Sequence, residues 1–474
     1  MNITIIGSGY VGLNTGVVLA YLKHNVTCVD QDSKKIESLK NGSSPIYEHG
    51  LETLLWKTKE RIEFTTDLNQ AIADADVIII AVGTPAKQNG EADTKYVEAA
   101  VTEIAMALQE DRSYLIVVKS TVPIGTNRQI SEKINQFLTT RGINVEVDFA
   151  SNPEFLREGM ALSDTFYPDR IVIGSDSYRA VDQLHKVYLP ILEQTFLPPL
   201  ELPRPSGYKL PTLVDTSPTS AEMIKYASNA FLALKISYIN EIGGLCEKVG
   251  ADVKEVAYGI GLDPRIGPRF LNAGIGWGGS CFPKDTAALI ALGKEYTYTM
   301  PIVEASCVVN NRQRQVIIEK LQSELNNLRG RTVGILGLAF KPGTDDLRDS
   351  PAQDIIKLLV DQGVNVKAHD PIAIPNAQRL LAEYRIEYGK NPYLMARDCD
   401  ALVLVTEWEE YLKLDFIKLR ATMKSPILID GRNFLNSEEL IKAGFIYKGV
   451  GIDDACSGNG RSGIHWKSPC GQAS

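Results

Sequence analysis

The opening stretch NITIIGSGYVGLNTGVVLAYLKHNVTCVD, residues Asn2–Asp30, decides the fold. A short apolar strand runs into Gly7-Ser-Gly9-Tyr-Val-Gly12, an apolar helical pattern follows, and a second strand ends in Asp30. This order is the signature of a dinucleotide-binding βαβ unit, whose glycines let the backbone approach a pyrophosphate at the helix N-terminus. An acid at the end of the second strand binds the adenosine ribose hydroxyls and repels a 2′-phosphate. The pattern therefore predicts NAD rather than NADP as cofactor.

The alternation of strands and helices then continues. Buried strands are predicted at Asp76–Val82, Tyr114–Lys119 and Val147–Ala150, and each runs into a turn rich in glycine or polar residues. Because ligands of open α/β sheets bind beyond the carboxyl ends of the strands, these turns are expected to face one crevice. Thr121, in the second turn, either caps a helix or offers its hydroxyl to a substrate or water.

The third turn, Asn152–Gly159, has the pattern of a helix start. Asn152 is expected to cap the helix and Pro153 to be its first residue. Glu154 and Glu158 are four residues apart and would then share a face. Acids are common in a first helical turn. The predicted position at the mouth of the crevice nevertheless favours Glu154 as a general base.

A proline-rich stretch, residues 196–218, is predicted to be irregular and to mark a boundary. The next stretch, Ser220–Glu247, has apolar residues at helical spacing around more than one face. Such coverage predicts a long helix that joins domains or forms a dimer. Lys225 and Asn229 lie four residues apart on it, and a lysine on a buried helix needs a partner or a role. Both side chains suit the stabilisation of a developing oxyanion.

The stretch GIGWGGSCFPKD, Gly274–Asp285, carries the predicted nucleophile. Pro283 suits the first turn of a helix, so Cys281 would lie beside a helix N-terminus, where the partial positive charge favours a thiolate. A buried structural cysteine is the ordinary alternative. The dense glycines and the adjacent Lys284 and Asp285 favour a covalent catalyst.

The last third of the chain repeats the first without the full glycine motif. Arg331–Lys341 and Val364–Asp370 repeat the opening strands, and further strands are predicted at Asp398–Thr406 and Pro426–Asp430. Lys341 and Arg432 directly follow strands, where ligands bind. We therefore favour a diphosphate-binding role for them over solvated surface positions.

Composition limits the possible partners. The formal net charge of −8 argues against nucleic acid or an anionic membrane. Seven scattered cysteines without metal-ligand spacing predict a reduced compartment and no metal site. Met1 leads directly into a strand, and no apolar run approaches the ~20 residues of a membrane span. A cytoplasmic protein without a membrane partner is expected.

Seven motifs resemble those of the UDP-glucose/GDP-mannose dehydrogenase family, over roughly residues 1–453. They are GSGYVG (Gly7–Gly12), STVPIGT (Ser120–Thr126), NPEFLREG (Asn152–Gly159), SAEMIKYASNAFLA (Ser220–Ala233), GGSCFPKD (Gly278–Asp285), LAFKPGTDDLRDSP (Leu338–Pro351) and DGRN (Asp430–Asn433). The resemblance implies an α/β fold with two Rossmann-like doubly wound parallel-sheet domains, joined by a helical central domain with a long helix. The expected divisions are an NAD-binding domain 1–200, a proline-rich linker 201–218, a central or dimerisation domain 219–325, a sugar-nucleotide-binding domain 326–453 and a disordered tail 454–474, which holds Cys456 and Cys470.

The family oxidises C6 of a sugar nucleotide twice and reduces two NAD. The resemblance implies that Cys281 forms a thiohemiacetal and then a thioester, that Lys225 and Asn229 stabilise the C6 oxygen, and that Glu154 acts as base with Thr121 and Asp285 holding a water. The implied cofactor contacts are Gly7, Gly9, Tyr10, Val11, Gly12, Asp30, Lys35, Gly83, Thr84, Thr121, Glu158 and Arg348. The implied substrate contacts are Glu154, Phe155, Leu156, Arg157, Lys225, Asn229, Phe270, Asn272, Gly276, Phe340, Lys341 and Arg432, with Arg265 lent across a homodimer interface.

The motif GGSCFPKD resembles the UDP-glucose branch of the family, which favours UDP-glucose as substrate, with GDP-mannose or another sugar nucleotide as the alternative. Two hypotheses from other classes stay open. A two-electron hydroxyacid dehydrogenase would share the N-terminal fold but would need no thiol. A catalytically silent protein would bind the nucleotide sugar without forming NADH.

Overall fold

Short apolar runs form the strands, and polar side chains begin many of the helices. The computed structural model describes residues 1–452. All four residues of Val77–Ile80 are fully buried, as expected of a parallel strand that is covered on both faces. Asp32, Asp67 and Ser177 each accept a hydrogen bond from a backbone N–H of the helix that follows, which is the usual role of an N-cap.

The elements alternate along most of the chain. The strands are β1 (Asn2–Ile6), β2 (Asn25–Val29), β3 (Ile62–Thr65), β4 (Val77–Ile80), β5 (Ser113–Val118), β6 (Glu146–Ser151), β7 (Arg170–Gly174), β8 (Thr212–Thr216), β9 (Thr332–Leu336), β10 (Asn365–His369), β11 (Ile386–Tyr388), β12 (Ala401–Leu404), β13 (Ile427–Asp430) and β14 (Ile446–Lys448). The helices are α1 (Tyr10–Tyr21), α2 (Ser33–Lys40), α3 (Leu51–Thr58), α4 (Leu68–Ala73), α5 (Lys95–Ala107), α6 (Thr126–Arg141), α7 (Ala161–Phe166), α8 (Tyr178–Leu192), α9 (Pro218–Val249), α10 (Val253–Gly261), α11 (Phe282–Glu295), α12 (Pro301–Leu325), α13 (Pro351–Asp361), α14 (Ile374–Leu380), α15 (Pro392–Ala396), α16 (Glu409–Leu412), α17 (Phe416–Thr422) and α18 (Ser437–Lys442).

One compact unit comprises residues 1–231, 281–300 and 343–345. Its eight-stranded sheet has the order β3-β2-β1-β4-β5-β6-β7-β8. Neighbouring strands are parallel except β6 and β7, which are antiparallel. The order of the first six strands is that of a doubly wound dinucleotide-binding sheet, in which β1 and β4 flank the point where the strand order reverses. Helices cover the sheet, and the two buried clusters of this unit contain residues of α1 and of α5 respectively.

Within the described residues, a second compact unit comprises residues 232–280, 301–342 and 346–452. Its six-stranded sheet is parallel throughout, in the order β11-β10-β9-β12-β13-β14. Numbered from its own first strand, this order repeats that of the first six strands of the chain. The C-terminal part of α9, α10 and α12 form the helical part of this unit. The predicted fold class, with two parallel sheets and a helical region that contains a long helix, is confirmed.

Two local predictions are wrong. The proline-rich stretch is not irregular throughout, because Thr212–Thr216 forms β8 and pairs in parallel with β7. These five residues are free of proline and lie at the edge of the sheet, so the flanking prolines interrupt no ladder. The segment after β6 is an extended loop and not a helix start, and the next helix, α7, begins only at Ala161. The predicted domain boundaries themselves stay predictions, and the tail 454–474, with Cys456 and Cys470, lies outside the described residues.

Candidate active site

The turn between β1 and α1 accepts only glycine at two positions. Gly7 has a φ of +99°, which side chains rarely allow. A Cβ on Gly12 would lie 1.8 Å from the carbonyl oxygen of Gly7. Helix α1 therefore packs directly on the turn, and Gly9 stands at its N-cap. This is the geometry in which a helix N-terminus presents backbone N–H groups to a pyrophosphate.

Asp30 lies at the end of β2, where the ribose-binding acid of such a site belongs. Its carboxylate accepts hydrogen bonds from the backbone N–H of Ser8 at 2.9 Å and from Lys35 Nζ at 2.8 Å. Burial works to raise the pKa of Asp30, but these bonds and that to the Asp32 N–H outweigh it and lower the pKa. Asp30 is therefore an anion at neutral pH, and Lys35 is its partner.

A polar contact joins the ends of two neighbouring strands, β4 and β5. Thr84 Oγ1, after β4, donates to the carbonyl of Thr121, after β5, at 2.7 Å. Helix α6 begins only at Thr126, so Thr121 does not cap it. Tyr10 donates to the carbonyl of Tyr47 at 2.8 Å. Burial, together with the nearby charge of Glu158, raises the pKa of Tyr10, so Glu158 lies near the hydroxyl end of this side chain.

Glu154 and Lys225 form a buried ion pair. Lys225 Nζ lies 2.9 Å from Glu154 Oε1, and the two side chains are only 4% and 7% exposed. Burial opposes both charges, but each charge favours the other: the pKa of Glu154 is lowered and that of Lys225 is raised. The backbone N–H of Leu156 donates to the other carboxylate oxygen of Glu154 at 2.5 Å. Both groups are thus held in their charged forms.

The ring of Phe155 lies against two cations in the same unit. The guanidinium of Arg170 lies 3.8 Å from the ring centroid, and Lys225 Nζ lies 5.4 Å from it. Arg157, predicted to line the substrate site, makes a bidentate ion pair with Asp164.

Cys281 occupies the N-cap position of α11, as predicted, and Pro283 lies in the first turn. Asp285, in the same turn, is 1% exposed and accepts hydrogen bonds from Asn229 Nδ2 at 2.6 Å and from Lys284 Nζ. The charges of Cys281 and Asp285 are among those that raise the pKa of Lys225, after burial and Glu154. One unit therefore brings together the acid, the lysine, the amide and the thiol that the sequence predicted as catalytic.

A small cavity of about 10 Å³ lies beside this cluster, which is room for one water molecule. Its lining includes Thr121, Lys225 and the buried carboxylate of Glu222. Glu222 accepts hydrogen bonds from the N–H groups of Gly125 and Asn127 at 2.6 and 2.8 Å, at the start of α6. Sequence reasoning missed Glu222. Its place on the same helix, about one turn before Lys225, was the available signal.

The second unit contains most of the other predicted substrate residues. Arg432 donates to the carbonyls of Gly276 at 3.1 Å, Phe340 at 3.3 Å and Val405 at 2.8 Å. These bonds bring three of the predicted residues together, and they occupy three of the five N–H groups of the guanidinium. Lys341 Nζ lies 5.6 Å from the ring of Phe340.

Four further predicted residues belong to this unit. Phe270 has a φ of +64°, and Asn272 is exposed. The side chain of Arg265 is 86% exposed and pairs with Asp263 in its own loop. Arg348 pairs with Asp346.

In the second unit, the turn that corresponds to the dinucleotide-binding turn is hydrogen-bonded to its own acid. Asp370, the counterpart of Asp30, is 2% exposed. It accepts hydrogen bonds from the N–H groups of Leu338 and Ala339 in the glycine turn itself, and from the indole of Trp408. An internally satisfied acid has no capacity left for a ribose. The second sheet thus repeats the topology of the first without its dinucleotide site.

Three models of one family match the chain along most of its length. The NAD binding domain of the UDP-glucose/GDP-mannose dehydrogenase family matches residues 1–192, the central domain 219–312 and the UDP binding domain 334–437. The chain belongs to the UDP-glucose/GDP-mannose dehydrogenase family. As a member of this family it is an oxidoreductase that uses NAD, as the sequence predicted, and the glycine turn and the anionic Asp30 fit that cofactor.

Similar proteins cover nearly all of the chain. It is 45% identical over 454 residues to the UDP-glucose 6-dehydrogenase TuaD of Bacillus subtilis (strain 168), which covers 95% of this chain and 93% of that protein. It is 46% identical over 461 residues to the UDP-glucose 6-dehydrogenase of Rhizobium meliloti (strain 1021), which covers 96% and 100%. Among solved structures, a UDP-glucose dehydrogenase from the hyperthermophilic archaeon Pyrobaculum islandicum matches with a TM-score of 0.84 and 38% identity, over 95% and 97% of the two chains.

Within residues 1–452, no cluster of three or more histidine, cysteine or acidic side chains could hold a metal ion. In the same range, no helix is long and apolar enough to cross a membrane.

Proposed function

We propose that this family member oxidises UDP-glucose at C6 to UDP-glucuronate, in two steps that use two NAD, through a covalent intermediate on Cys281. One observation carries the proposal: the half-buried thiol of Cys281, at a helix N-terminus, belongs to the same unit as the buried Glu154–Lys225 ion pair and the Asn229–Asp285 hydrogen bond, and its charge acts on Lys225. Relatives more than 40% identical over nearly the whole chain are named UDP-glucose 6-dehydrogenases.

The side chains of the site have different roles in the reaction, and their charges decide these roles. The Cys281 sulfur adds to the C6 aldehyde and forms a thiohemiacetal, whose oxidation leaves a thioester. NAD, when bound, supplies the hydride acceptor for both oxidations. Lys225, whose pKa is raised, stays protonated and stabilises negative charge on the C6 oxygen together with the Asn229 amide.

The last step is hydrolysis of the thioester. Glu154, whose pKa is lowered, is ionised at neutral pH and takes the proton of the attacking water. The water adds to the carbonyl carbon, the C–S bond breaks, and the thiolate of Cys281 leaves. Thr121 borders the cavity of one-water size, which supports a role in holding that water. Asp285, which Asn229 anchors by a hydrogen bond, is proposed to assist it.

We propose that the second unit binds the sugar nucleotide through Arg432, Lys341, Phe340 and Gly276. Two N–H groups of Arg432 are left after its three carbonyl contacts, which suits a diphosphate oxygen. GDP-mannose is the second candidate substrate, because the family includes GDP-mannose dehydrogenases. The remaining predicted cofactor and substrate contacts stay predictions, as does the cytoplasmic location.

A homodimer is the proposed assembly. In the second unit, the large apolar side chains Tyr238, Leu245 and Val249 of α9 are 50%, 59% and 67% exposed. Their spacing of seven and four residues places them on one face of the helix. Burial of this face by a second copy would remove it from water, and the exposed Arg265 would be available to reach the partner's site. Sedimentation of the protein tests this, and a monomer at micromolar concentration would refute it.

The experiment that tests the reaction incubates the protein with NAD and either UDP-glucose or GDP-mannose. We expect two NADH per UDP-glucose consumed and little reaction with GDP-mannose. One NADH per sugar would refute the four-electron reaction, and none would favour a silent binding protein. Cys281→Ser is expected to abolish acid formation, whereas a two-electron hydroxyacid dehydrogenase would keep its activity.

A further inference from the structure

A second buried lysine lies beside the proposed catalytic acid. Lys119 immediately follows β5, and it is 7% exposed. Its Nζ donates to Asn152 Oδ1 at 3.0 Å. The hydroxyl of Tyr188, on α8, donates to the same oxygen at 2.6 Å, and Asn152 Nδ2 donates to the carbonyl of Val172 at 2.8 Å. The side chain of Asn152 is thus held at three points, two residues before Glu154.

The charges around Lys119 are few. Glu154 and Lys225 are the charged groups that influence it, and Tyr188 and Asn152 are its polar neighbours. Burial lowers the pKa of Lys119 to about 8, the charge of Glu154 acts to raise it, and that of Lys225 acts to lower it. Lys119 is therefore mostly protonated at pH 7, and its charge is one of those that lower the pKa of Glu154. A buried ammonium is costly.

A purely structural role does not require that charge. Asn152 Oδ1 already receives a hydrogen bond from the neutral hydroxyl of Tyr188, and a neutral donor at position 119 would serve equally well. The other residues of β5 from Tyr114 to Val118 are apolar or aromatic and buried. The positive charge at position 119 therefore acts on Glu154, the one carboxylate among the groups that influence Lys119.

We propose that Lys119 is a positioning residue, which fixes the segment from Asn152 to Glu154 and supplies the charge that keeps Glu154 ionised until it takes the proton of water. This role rests on the proposed function of Glu154 as the base. Lys119 itself forms no bond with the substrate. Lys225, on α9, and Lys119, directly after β5, then both stabilise the carboxylate of Glu154.

Two variants separate the charge from the hydrogen bond. Lys119→Gln keeps an N–H donor toward Asn152 and removes the charge, whereas Tyr188→Phe removes a hydrogen bond to the same oxygen and keeps the charge. The full-length protein is assayed with NAD and UDP-glucose from about pH 3.5 to about pH 9, a range that includes the region below the ordinary carboxyl pKa, with kcat and KM measured separately. A neighbouring charge moves the titration of a carboxyl by about one pH unit. We expect Lys119→Gln to shift the acid limb of kcat to higher pH, with about a tenfold loss on that limb and a KM for UDP-glucose that is little changed.

Tyr188→Phe is expected to leave the acid limb in place, and Lys119→Arg, which keeps the charge, is expected to restore it. The proposal fails if Lys119→Gln has the acid limb of the wild type, or if Tyr188→Phe shifts the limb equally. Lys119→Met provides a second neutral variant, and if Lys119→Gln does not fold, the same criterion is applied to Lys119→Met. Wild-type protein that forms no NADH would instead refute the proposed function, and the two failures are therefore distinguishable.

Discussion

Replacement of Lys225 by methionine tests whether the buried ion pair sustains the site. Methionine keeps most of the apolar stem and removes the ammonium, so the carboxylate of Glu154 loses its partner at 2.9 Å. Two other groups still stabilise that carboxylate in the variant, namely the N–H of Leu156, by a hydrogen bond, and Lys119, by its charge.

The expected loss of stability follows from this geometry. Removal of one partner of a buried ion pair costs about 3–5 kcal/mol. The two remaining supports favour the lower end, about 3 kcal/mol. For a unit of about this size, each kcal/mol lowers the midpoint of thermal unfolding by about 2–4 °C, so a fall of roughly 6–12 °C is expected.

The pH dependence has a definite sign. In the wild type the lowered pKa of Glu154 means that its contribution is present above the ordinary carboxyl pKa and is lost as pH falls through the lowered value. The raised pKa of Lys225 means that its contribution is present below the ordinary lysine pKa and is lost as pH rises through the raised value. In Lys225→Met, the buried Glu154 can instead take up a proton as pH falls. The penalty should therefore shrink from neutral toward acid pH.

Thermal unfolding of wild type and variants, near neutral pH and at about pH 5, measures these effects. Lys186→Met is the matched control, because Lys186 forms an exposed pair with Asp182 and should change the midpoint little. The double variant Glu154→Gln with Lys225→Met removes both charges and should recover much of the loss. A midpoint within about 2 °C of the wild type for Lys225→Met would refute the reasoning, as would a double variant that loses the sum of both single effects.

Three further predictions, one of them with a matched control, concern the turns that follow the strands of the two sheets. Gly12→Ala places a Cβ against the carbonyl oxygen of Gly7. It should weaken NAD binding at least about tenfold in calorimetric titration. Gly9→Ala is the control, because a Cβ at Gly9 meets nothing within 4 Å, and this variant should fold normally. Asp30→Ala should raise the Kd for NAD about tenfold or more, and an unchanged Kd would contradict the ribose-binding role. Asp370→Asn turns an amide group toward buried N–H donors and should destabilise the second unit by about 2–4 kcal/mol without a change in NAD affinity.

The parallel sheets could be predicted from the sequence because their signals are local. The run Val77–Ile80 is apolar at every position, and the glycines of the first turn have one conformational use. The start of α11 was predictable for the same reason, since Pro283 and the helical pattern behind it mark a helix N-terminus. The helix start predicted after β6 was wrong, because Asn and Pro favour a helix start only by local preference. Tertiary hydrogen bonds from Lys119 and Tyr188 hold Asn152 in an extended loop instead.

The sequence alone therefore determined the βαβ order, the glycine turn, the cofactor class and the position of Cys281 at a helix N-terminus, because each depends on residues that are neighbours along the chain. The tertiary structure decided which charges meet. Glu154 and Lys225 are 71 positions apart, and Asn229 and Asp285 are 56 apart, yet each pair is in hydrogen-bond contact. It likewise placed Lys119 beside Glu154 and closed the second nucleotide turn around Asp370. Electrostatic energy in a buried site depends on distance and desolvation, and neither is written in the order of the residues.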